Sequence, residues 1–188
     1  MRRFFQFDDQ ECAIRARRGE AGAFAELVKR YQDKIFRFLL RLVHSRDDAM
    51  DLAQDTFMRA YQGLGRWEPE APFRSWLFRI ARNLAFDQLR HGRLVEFVEF
   101  DDSADLPDRS QNPELALETA QRYGALEAAL QRMPVEQREM ILLREIEGLS
   151  YEEMAQVLEL PPGTVKSRLS RARLALMAMT RARKEMKP

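Results

Sequence analysis

Apolar side chains recur every three or four residues along almost the whole chain, and this spacing limits the possible folds more than any other feature of the sequence. Between residues 24 and 42 it is kept by Phe24, Leu27, Val28, Tyr31, Ile35, Phe38, Leu39 and Leu42. Such spacing is typical of an amphipathic helix that buries one face. Only residues 91–112 lack it, although residues 94–100 half alternate and could form a short strand. A mostly helical fold is therefore predicted, and a β-rich one is disfavoured.

Helix boundaries are marked by capping residues, glycine and proline. The predicted N-caps are Asp8 or Asp9, Ser45 and Asn112, and the predicted breaks are Gly19, a loop within 63–72 and Gly148. Residues 150–153, Ser-Tyr-Glu-Glu, form a capping box. The helix that this box opens is separated by Pro161, Pro162 and Gly163 from a last helix beginning near Thr164. Two helices joined by so tight a turn predict a helix-turn-helix unit.

An acidic, turn-rich stretch separates two helical parts of the chain. Residues 95–118 carry eight acids and one base, a charge of −7. Such a stretch is typical of a linker, and it divides the chain into residues 1–93, a linker over 94–112, and residues 113–188. The total of 188 residues suits one medium domain or two small ones. The predicted fold class is therefore all-α: two small helical domains joined by a flexible acidic linker, the second a helix-turn-helix domain.

The formal net charge of +1 hides a strong segregation of charge. Residues 47–55 carry four aspartates and no base, whereas residues 74–93 carry five arginines and one aspartate. Residues 163–188 carry eight bases and one acid. The two basic blocks indicate two anionic partners and the acidic block a cationic one, unless these are ordinary solvated faces.

The cysteine count and the hydropathy disfavour several classes of protein. Cys12 is the single cysteine, so neither an internal disulfide nor a cysteine-based zinc cluster can form. No apolar run approaches the length of a membrane span, and acids near the N-terminus interrupt any signal-peptide pattern. We therefore expect a cytoplasmic protein without a metal or a cofactor. No set of nucleophile, base and orienting group is visible, so no enzyme is predicted.

The last helix is predicted to present a basic face to duplex DNA. Its buried stripe is Val165, Leu169, Ala172 and Leu176, and the opposite face carries Ser167, Ser170 and Arg171, flanked by Lys166, Arg168 and Arg173. Small hydroxyls allow close approach to a major groove, and arginine and lysine contact guanine or phosphate. A basic surface helix that binds nothing is the alternative.

The third helix is predicted to present an acidic face. Asp48, Asp51 and Asp55 share one side of it, because residues three and four apart face together. Like charges so aligned repel one another, and a cationic partner surface would relieve that repulsion. Leu52 and Gln54 lie beside them. The face is a candidate docking surface, with a merely solvated face as the alternative.

Aromatic side chains and arginines are mixed in residues 73–84. The apolar stripe is Phe73, Trp76, Leu77, Ile80 and Leu84, whereas Arg74, Arg79, Arg82 and Asn83 lie off it. Such a mixture suits single-stranded nucleic acid, since exposed bases stack on rings and phosphates pair with arginine. Trp67 and Phe78 are the candidate stacking residues, and Trp76 is expected in the core.

The same segments resemble a known family. DDAMDLAQDTFMRAY and FRSWLFRIARNLAFDQLR resemble region 2 of sigma-70-type initiation factors, and LREIEGLSYEEMAQVLELPPGTVKSRLSRARLAL resembles region 4. With only a linker between them, nearly the whole chain resembles the extracytoplasmic-function group. The resemblance implies a monomeric factor that directs core RNA polymerase to promoter DNA. It also implies an anti-sigma factor that holds the free chain inactive until a stress signal.

The resemblance assigns roles to particular residues. The positions that match the polymerase-docking surface are Asp48, Asp51, Leu52, Gln54, Asp55 and Phe57. Those that match the reader of melted −10 DNA are Trp67, Arg74, Ser75, Phe78, Arg79, Arg82 and Asn83. Those that match the reader of duplex −35 DNA are Arg144, Lys166, Ser167, Ser170, Arg171 and Arg173. The loop over 67–75 carries two prolines and two glutamates where many members have glycine, so the base that it reads does not transfer.

Two other classes of protein stay open from the residues alone. An ordinary helix-turn-helix regulator would bind duplex DNA by itself and would need no acidic docking helix. An interaction adaptor would use its basic helices to bind acidic proteins. Residues 73–90 separate these classes, since only the initiation-factor hypothesis gives Trp67, Phe78 and Asn83 a role on single strands.

Overall fold

The computed structural model of the chain describes residues 7–91 and 113–185, and within 113–122 and 182–185 it describes the helical backbone alone. These ranges contain eight α-helices and no strand: α1 (Asp9–Arg17), α2 (Ala21–Val43), α3 (Arg46–Gly63), α4 (Phe73–His91), α5 (Pro113–Arg132), α6 (Val135–Ile141), α7 (Tyr151–Leu158) and α8 (Pro162–Glu185). A 3₁₀ turn (Leu64–Arg66) follows α3, and a π-helical segment (Leu142–Ile146) continues α6. The all-α prediction is confirmed, while the linker and the possible strand at 94–100 lie outside the described residues.

Helices begin where capping side chains satisfy otherwise unpaired backbone amides. Asp8 caps α1, with a carboxylate oxygen 2.7 Å from the amide nitrogen of Glu11. Ser45 caps α3 in the same way. A complete capping box opens α7, because Ser150 and Glu153 accept from each other's backbone amides at 3.1 and 2.7 Å. The predicted starts of these three helices are therefore confirmed.

The turn between α7 and α8 is tight, as expected of a helix-turn-helix unit. α7 ends at Glu159, which adopts a left-handed conformation with φ 55°. α8 begins at Pro162 rather than near Thr164, because proline fits the first turn of a helix. Gly148 has φ 68° and ends the preceding element as predicted, since a residue without Cβ adopts that conformation without strain.

Aromatic rings fill the core of the N-terminal helices. Phe38 of α2 and Phe78 of α4 meet edge-on, with 5.2 Å between ring centres, a favourable geometry for two rings. Trp76 is partly buried, and its ring lies 3.3 Å from the place where a Cβ on Gly63 would stand. Glycine at that position therefore lets the end of α3 approach α4 closely.

Aliphatic side chains fill the core of the C-terminal helices. Val165, Leu169 and Ala172 are buried and Leu176 is half-buried, which confirms the predicted stripe of α8. The same core contains Leu130, Met140, Leu142, Leu149, Met154 and Val157. The basic face of α8 is thereby held outward.

The N-terminal and C-terminal helices contact each other through a buried guanidinium. Arg138 of α6 donates to the carbonyl oxygen of Leu42 in α2 at 3.1 Å and to that of Gln131 in α5 at 3.2 Å. It also donates to Nε2 of His44. Because carbonyls at helix C-termini carry partial negative charge, they stabilise this cation away from solvent.

Within the described ranges, no helix is long and apolar enough to cross a membrane. Nor do those ranges hold three or more His, Cys, Asp or Glu side chains grouped to bind a metal ion. Cys12 is buried in α1, and this burial raises the pKa of its thiol.

Candidate nucleic-acid interface

Basic and hydroxyl side chains cover the solvent face of α8. The exposed residues predicted here to read DNA are Lys166, Ser167, Ser170, Arg171 and Arg173. The hydroxyl of Ser167 donates to the carbonyl oxygen of Thr164 at 3.0 Å, so it is held close to the helix. Since small side chains occupy the middle of this face, a DNA groove can approach the helix backbone there.

Arg144 adjoins this face from the π-helical segment. It donates to the carbonyl oxygen of Leu149 at 2.5 Å, and its guanidinium lies 4.8 Å from the ring centre of Tyr151. The ammonium of Lys166 approaches the same ring at 5.5 Å. Tyr151 therefore brings Arg144 and Lys166 together by cation–π contacts. This role of Tyr151 was not predicted, because it depends on the turn between α7 and α8.

Arg173 lies in an exposed ion pair with Glu145, at 2.5 Å. An exposed pair adds little stability because water screens it. A phosphate can therefore replace Glu145 as the partner of Arg173 at small cost.

Two arginines of α4 are paired with carboxylates of the C-terminal helices. Arg74 pairs with Glu153 of α7 at 2.6 Å, and Arg82 pairs with Glu139 of α6 at 2.8 Å. Asn83, which follows Arg82, is exposed. The predicted −10 surface thus faces the C-terminal helices along part of its length.

The protein shifts the pKa values of these two carboxylates in opposite directions. Burial raises the pKa of Glu139 above its usual value, against the lowering effect of Arg82. Burial also acts to raise the pKa of Glu153, but hydrogen bonds from Arg74 and from Ser150 bring it below its usual value. A looser pair joins Arg79 to Glu159 at 3.9 Å near the surface.

The structure contradicts the stacking role predicted for Trp67 and Phe78, which are 1% and 0% exposed. Ser75 is also buried, at 1%. Phe78 is covered because α4 packs against α1, α2, α3 and α7 rather than along one stripe. Trp67 turns inward against Phe73, with 6.0 Å between ring centres. In this conformation neither ring offers a face to a base, so all three residues lie beneath the candidate surface.

The acidic face predicted on α3 is present. Asp51 and Gln54 are exposed, Asp48 and Asp55 are half-buried, Phe57 is half-buried against the core, and Leu52 is buried. The carboxylates and the amide can meet a partner, whereas Leu52 and Phe57 fix the helix from below.

Three apolar side chains on the same helix are exposed and were not predicted to be. Met50, Met58 and Tyr61 are 54%, 51% and 58% exposed. Tyr61 lies at the surface of α3, where its ring meets that of Phe24 edge-on with 5.1 Å between ring centres. The spacing of residues 50, 54, 58 and 61 places them on one helical face, and that spacing was the available signal. Exposed methionine and tyrosine are common where one protein binds another.

The fold and these surfaces define a class of protein. A helix-turn-helix unit with a basic second helix, an arginine-rich helix elsewhere, and an acidic and apolar face on a third helix together indicate a DNA-binding protein that also docks on another protein.

Comparison with known proteins identifies that class more closely. The model described as Sigma-70 region 2 matches residues 27–94, and the model described as Sigma-70, region 4 matches residues 123–176. The RNA polymerase sigma-H factor of Pseudomonas aeruginosa is 37% identical over 179 residues, which are 91% of this chain and 93% of the relative. The ECF RNA polymerase sigma-E factor of Escherichia coli (strain K12) is 36% identical over 180 residues, with the same two shares, 91% and 93%.

Two solved structures also match this chain over most of its length. CnrH in complex with the cytosolic domain of CnrY matches with a TM-score of 0.68 and 30% identity, over 93% of this chain and 97% of that one. The sigma factor RpoE in complex with the anti-sigma factor NepR from Bartonella quintana matches with a TM-score of 0.68 and 29% identity, over 84% of this chain and 96% of that one. This chain therefore belongs to the extracytoplasmic-function group of the sigma-70 family, and the resemblance read from its motifs is confirmed.

Proposed function

We propose that this chain is an alternative sigma factor that binds core RNA polymerase and directs it to promoters. The observation that carries the proposal is the separation of three surfaces onto three helices: an acidic and apolar one on α3, and basic ones on α4 and α8. An ordinary duplex-binding regulator needs only the last of these.

The surface on α3 is the proposed polymerase-docking face. Its polar members are Asp48, Asp51, Gln54 and Asp55. Met50 and Met58, each about half exposed at 54% and 51%, add apolar contact area beside the carboxylates. A partner with an apolar centre and a basic rim fits this arrangement. Leu52 and Phe57 act indirectly, by holding the helix on the core.

The basic face of α8 is the proposed −35 reader. Arg171 and Lys166 are placed to contact base edges or phosphates, and Ser167 and Ser170 allow close approach. Arg144 adds a cation at the border of this face, since Tyr151 holds it near Lys166.

The surface of α4 and the loop over 67–72 form the proposed −10 reader. Arg74, Arg79 and Arg82 suit phosphates, and the amide of Asn83 offers both donors and an acceptor to an unpaired base. Trp67, Ser75 and Phe78 support this surface from below. Because Glu153 and Glu139 occupy Arg74 and Arg82, the C-terminal helices have to move away from α4 before DNA binds both arginines.

Each of the three predicted segments of the chain has its own proposed role. Residues 1–93 hold the docking face and the −10 reader, and residues 113–188 hold the −35 reader. The linker over 94–112 is negatively charged, which suits a path through a basic channel for nascent RNA. The chemistry of RNA synthesis belongs to the polymerase, so this chain needs no catalytic group, metal or cofactor. It acts in the cytoplasm, on promoter DNA.

An anti-sigma factor is the proposed inhibitor. Two related structures are complexes, one with the cytosolic domain of CnrY and one with the anti-sigma factor NepR. A protein of this kind would keep the docking and reading surfaces of this chain from polymerase and DNA until a stress signal.

Binding to core RNA polymerase tests the docking face. We expect tight binding by the chain and a loss of at least about tenfold in Asp51→Arg, because one charge reversal replaces attraction by repulsion within the interface. Asp33→Arg, the same change at an exposed site on α2, is the matched control and should bind as the parent does. Circular dichroism establishes that both variants are folded. Unchanged binding by folded Asp51→Arg would refute the docking assignment.

A further inference from the structure

One side chain of α1 holds the backbone of the loop that precedes α4. The carboxamide nitrogen of Gln10 donates to the carbonyl oxygen of Pro69 and, at 3.3 Å, to that of Ala71. Its carboxamide oxygen accepts from the amide nitrogen of Phe73 at 3.1 Å. A planar carboxamide with two donors and an acceptor can make all three bonds, and only glutamine and asparagine carry that group.

A second side chain of α1 holds the start of the same loop. Arg17 donates to the carbonyl oxygen of Trp67 at 3.1 Å. The carbonyls of residues 67, 69 and 71 and the amide of residue 73 are thus all bound by α1, at every second residue. Glu68 and Glu70, the residues between them, are exposed. The backbone is therefore fixed along one edge while the intervening side chains face solvent.

α1 is itself anchored on α2, so Gln10 extends from a rigid support. Asp9 pairs with Arg30 at 2.8 Å and accepts from the hydroxyl of Tyr31. Arg30 also donates to the carbonyl oxygen of Phe7 at 2.9 Å. Ala13 and Ala16 are buried on the inner face of α1. The loop therefore takes its shape from this support, together with an internal hydrogen bond from the amide of Ala71 to the carbonyl oxygen of Glu68 at 3.0 Å.

We propose that Gln10 is a positioning residue for base recognition: through Pro69, Ala71 and Phe73 it sets the shape of the loop that meets an unpaired −10 base. This inference rests on the −10 role proposed above for that loop. Recognition of a base depends on groups held in place before it arrives. Loss of the Gln10 bonds therefore weakens discrimination among bases rather than attraction to the DNA backbone, which comes from the arginines of α4.

The test uses the full chain bound to core RNA polymerase, with single-stranded DNA oligonucleotides that carry a randomised segment. Selection by the parent defines the preferred bases, and competition binding gives the ratio of affinities for the best and the other bases at each position. In Gln10→Glu the side chain still accepts from Phe73 but turns a carboxylate toward the carbonyls of Pro69 and Ala71. We expect discrimination in at least one position to fall about fivefold or more, the lower end of a good base contact. Affinity for the polymerase should not change.

Two further variants complete the design. Gln32→Glu makes the same substitution at an exposed site on α2 and should keep the parental preferences. Gln10→Leu removes all three hydrogen bonds without adding charge. It takes the place of Gln10→Glu in the binding test if the glutamate variant does not fold. In either folded Gln10 variant, hydrogen exchange at the Phe73 amide should become faster.

The outcomes separate the inference from the function on which it rests. Parental base preferences in folded Gln10→Leu or Gln10→Glu would overturn the inference and leave the −10 role intact. A parental holoenzyme that shows no base preference would refute the −10 role, and the inference with it. Loss of preference confined to the Gln10 variants supports both.

Discussion

At the scale of the residue, the positions proposed to read DNA differ in what surrounds them. Arg171 is exposed, and its Nε donates weakly to the carbonyl oxygen of Ser167 at 3.4 Å. Arg74 and Arg82 are instead bound by carboxylates at 2.6 and 2.8 Å. Arg171 is therefore ready to bind DNA in the described conformation, whereas the two arginines of α4 first have to lose a partner.

Arg171→Ala tests whether this side chain reads a base. If it does, binding to duplex −35 DNA recovered by selection should weaken by about 1–3 kcal/mol, and preference at one base pair should relax. Competition binding against random duplexes measures both effects. Arg181→Ala, at an exposed site nearer the end of α8, is the control. An equal loss on selected and random DNA would reduce Arg171 to a phosphate contact.

At the scale of the element, local signals in the sequence predicted the helices well. The caps at Asp8, Ser45 and Ser150 each act on the amide three residues further along, so both partners can be read from the local sequence. The buried stripe of α8 follows from helical spacing for the same reason. The acidic face of α3 also followed from the spacing of its aspartates, whereas its docking role was implied by the family resemblance. The exposed methionines beside the aspartates were missed.

Other features could not be predicted because they depend on contacts between distant parts of the chain. Phe78 lies at the edge of the predicted stripe of α4, yet it is fully buried because α2 and α7 also pack against that helix. Arg82 and Glu139, which pair with each other, are 57 residues apart in the chain, and no local sequence pattern indicates their contact. Gln10 likewise binds backbone groups about 60 residues away, and a glutamine on an amphipathic helix carries no signal of such a role.

His44, at the C-terminal end of α2, is predicted to make the stability of the fold depend on pH. Burial, and then the charge of Arg138, lower the pKa of His44 from 6.5 to about 4. Between these values the unfolded chain binds a proton that the folded chain does not, so the free energy of unfolding falls as the pH falls from about 6.5 to 4. Above 6.5 the histidine is neutral in both states and contributes no pH dependence.

His44→Asn isolates this effect. Asparagine tolerates the left-handed conformation that His44 adopts, with φ 57°, and it does not titrate. Urea unfolding across pH 7 to 4.5 should show the parent losing stability relative to the variant as the pH falls. Glu139 and Glu147, whose pKa values burial raises, are present in both chains and cancel in the comparison. Parallel curves for the two chains would contradict the prediction.

At the scale of the whole molecule, the C-terminal helices lie against the N-terminal ones, an arrangement we call closed. Glu139 and Glu153 of the C-terminal helices pair there with Arg82 and Arg74 of α4. The double variant Glu139→Gln with Glu153→Gln removes both negative charges, and glutamine at residue 153 keeps the capping box of α7. We expect the free chain to bind single-stranded DNA about fivefold more tightly, equivalent to about 1 kcal/mol. Fluorescence anisotropy measures this affinity.

The control for this prediction is Glu145→Gln, which releases Arg173 within the C-terminal helices and should leave single-strand binding as it is in the parent. Small-angle scattering should show a larger radius of gyration for the double variant. An unchanged affinity together with an unchanged radius would mean that the ion pairs do not hold the arrangement closed.

The most direct test of the account is strand opening at promoters selected by the chain with core RNA polymerase. Permanganate oxidises unpaired thymines and so reports melted DNA. We predict reactive thymines in the −10 segment only when the chain and the polymerase are both present, and fewer of them with Asn83→Ala, which should leave duplex −35 binding unchanged. Tight duplex binding by the chain alone, with no thymine made reactive by adding polymerase, would contradict the account and identify an ordinary helix-turn-helix regulator.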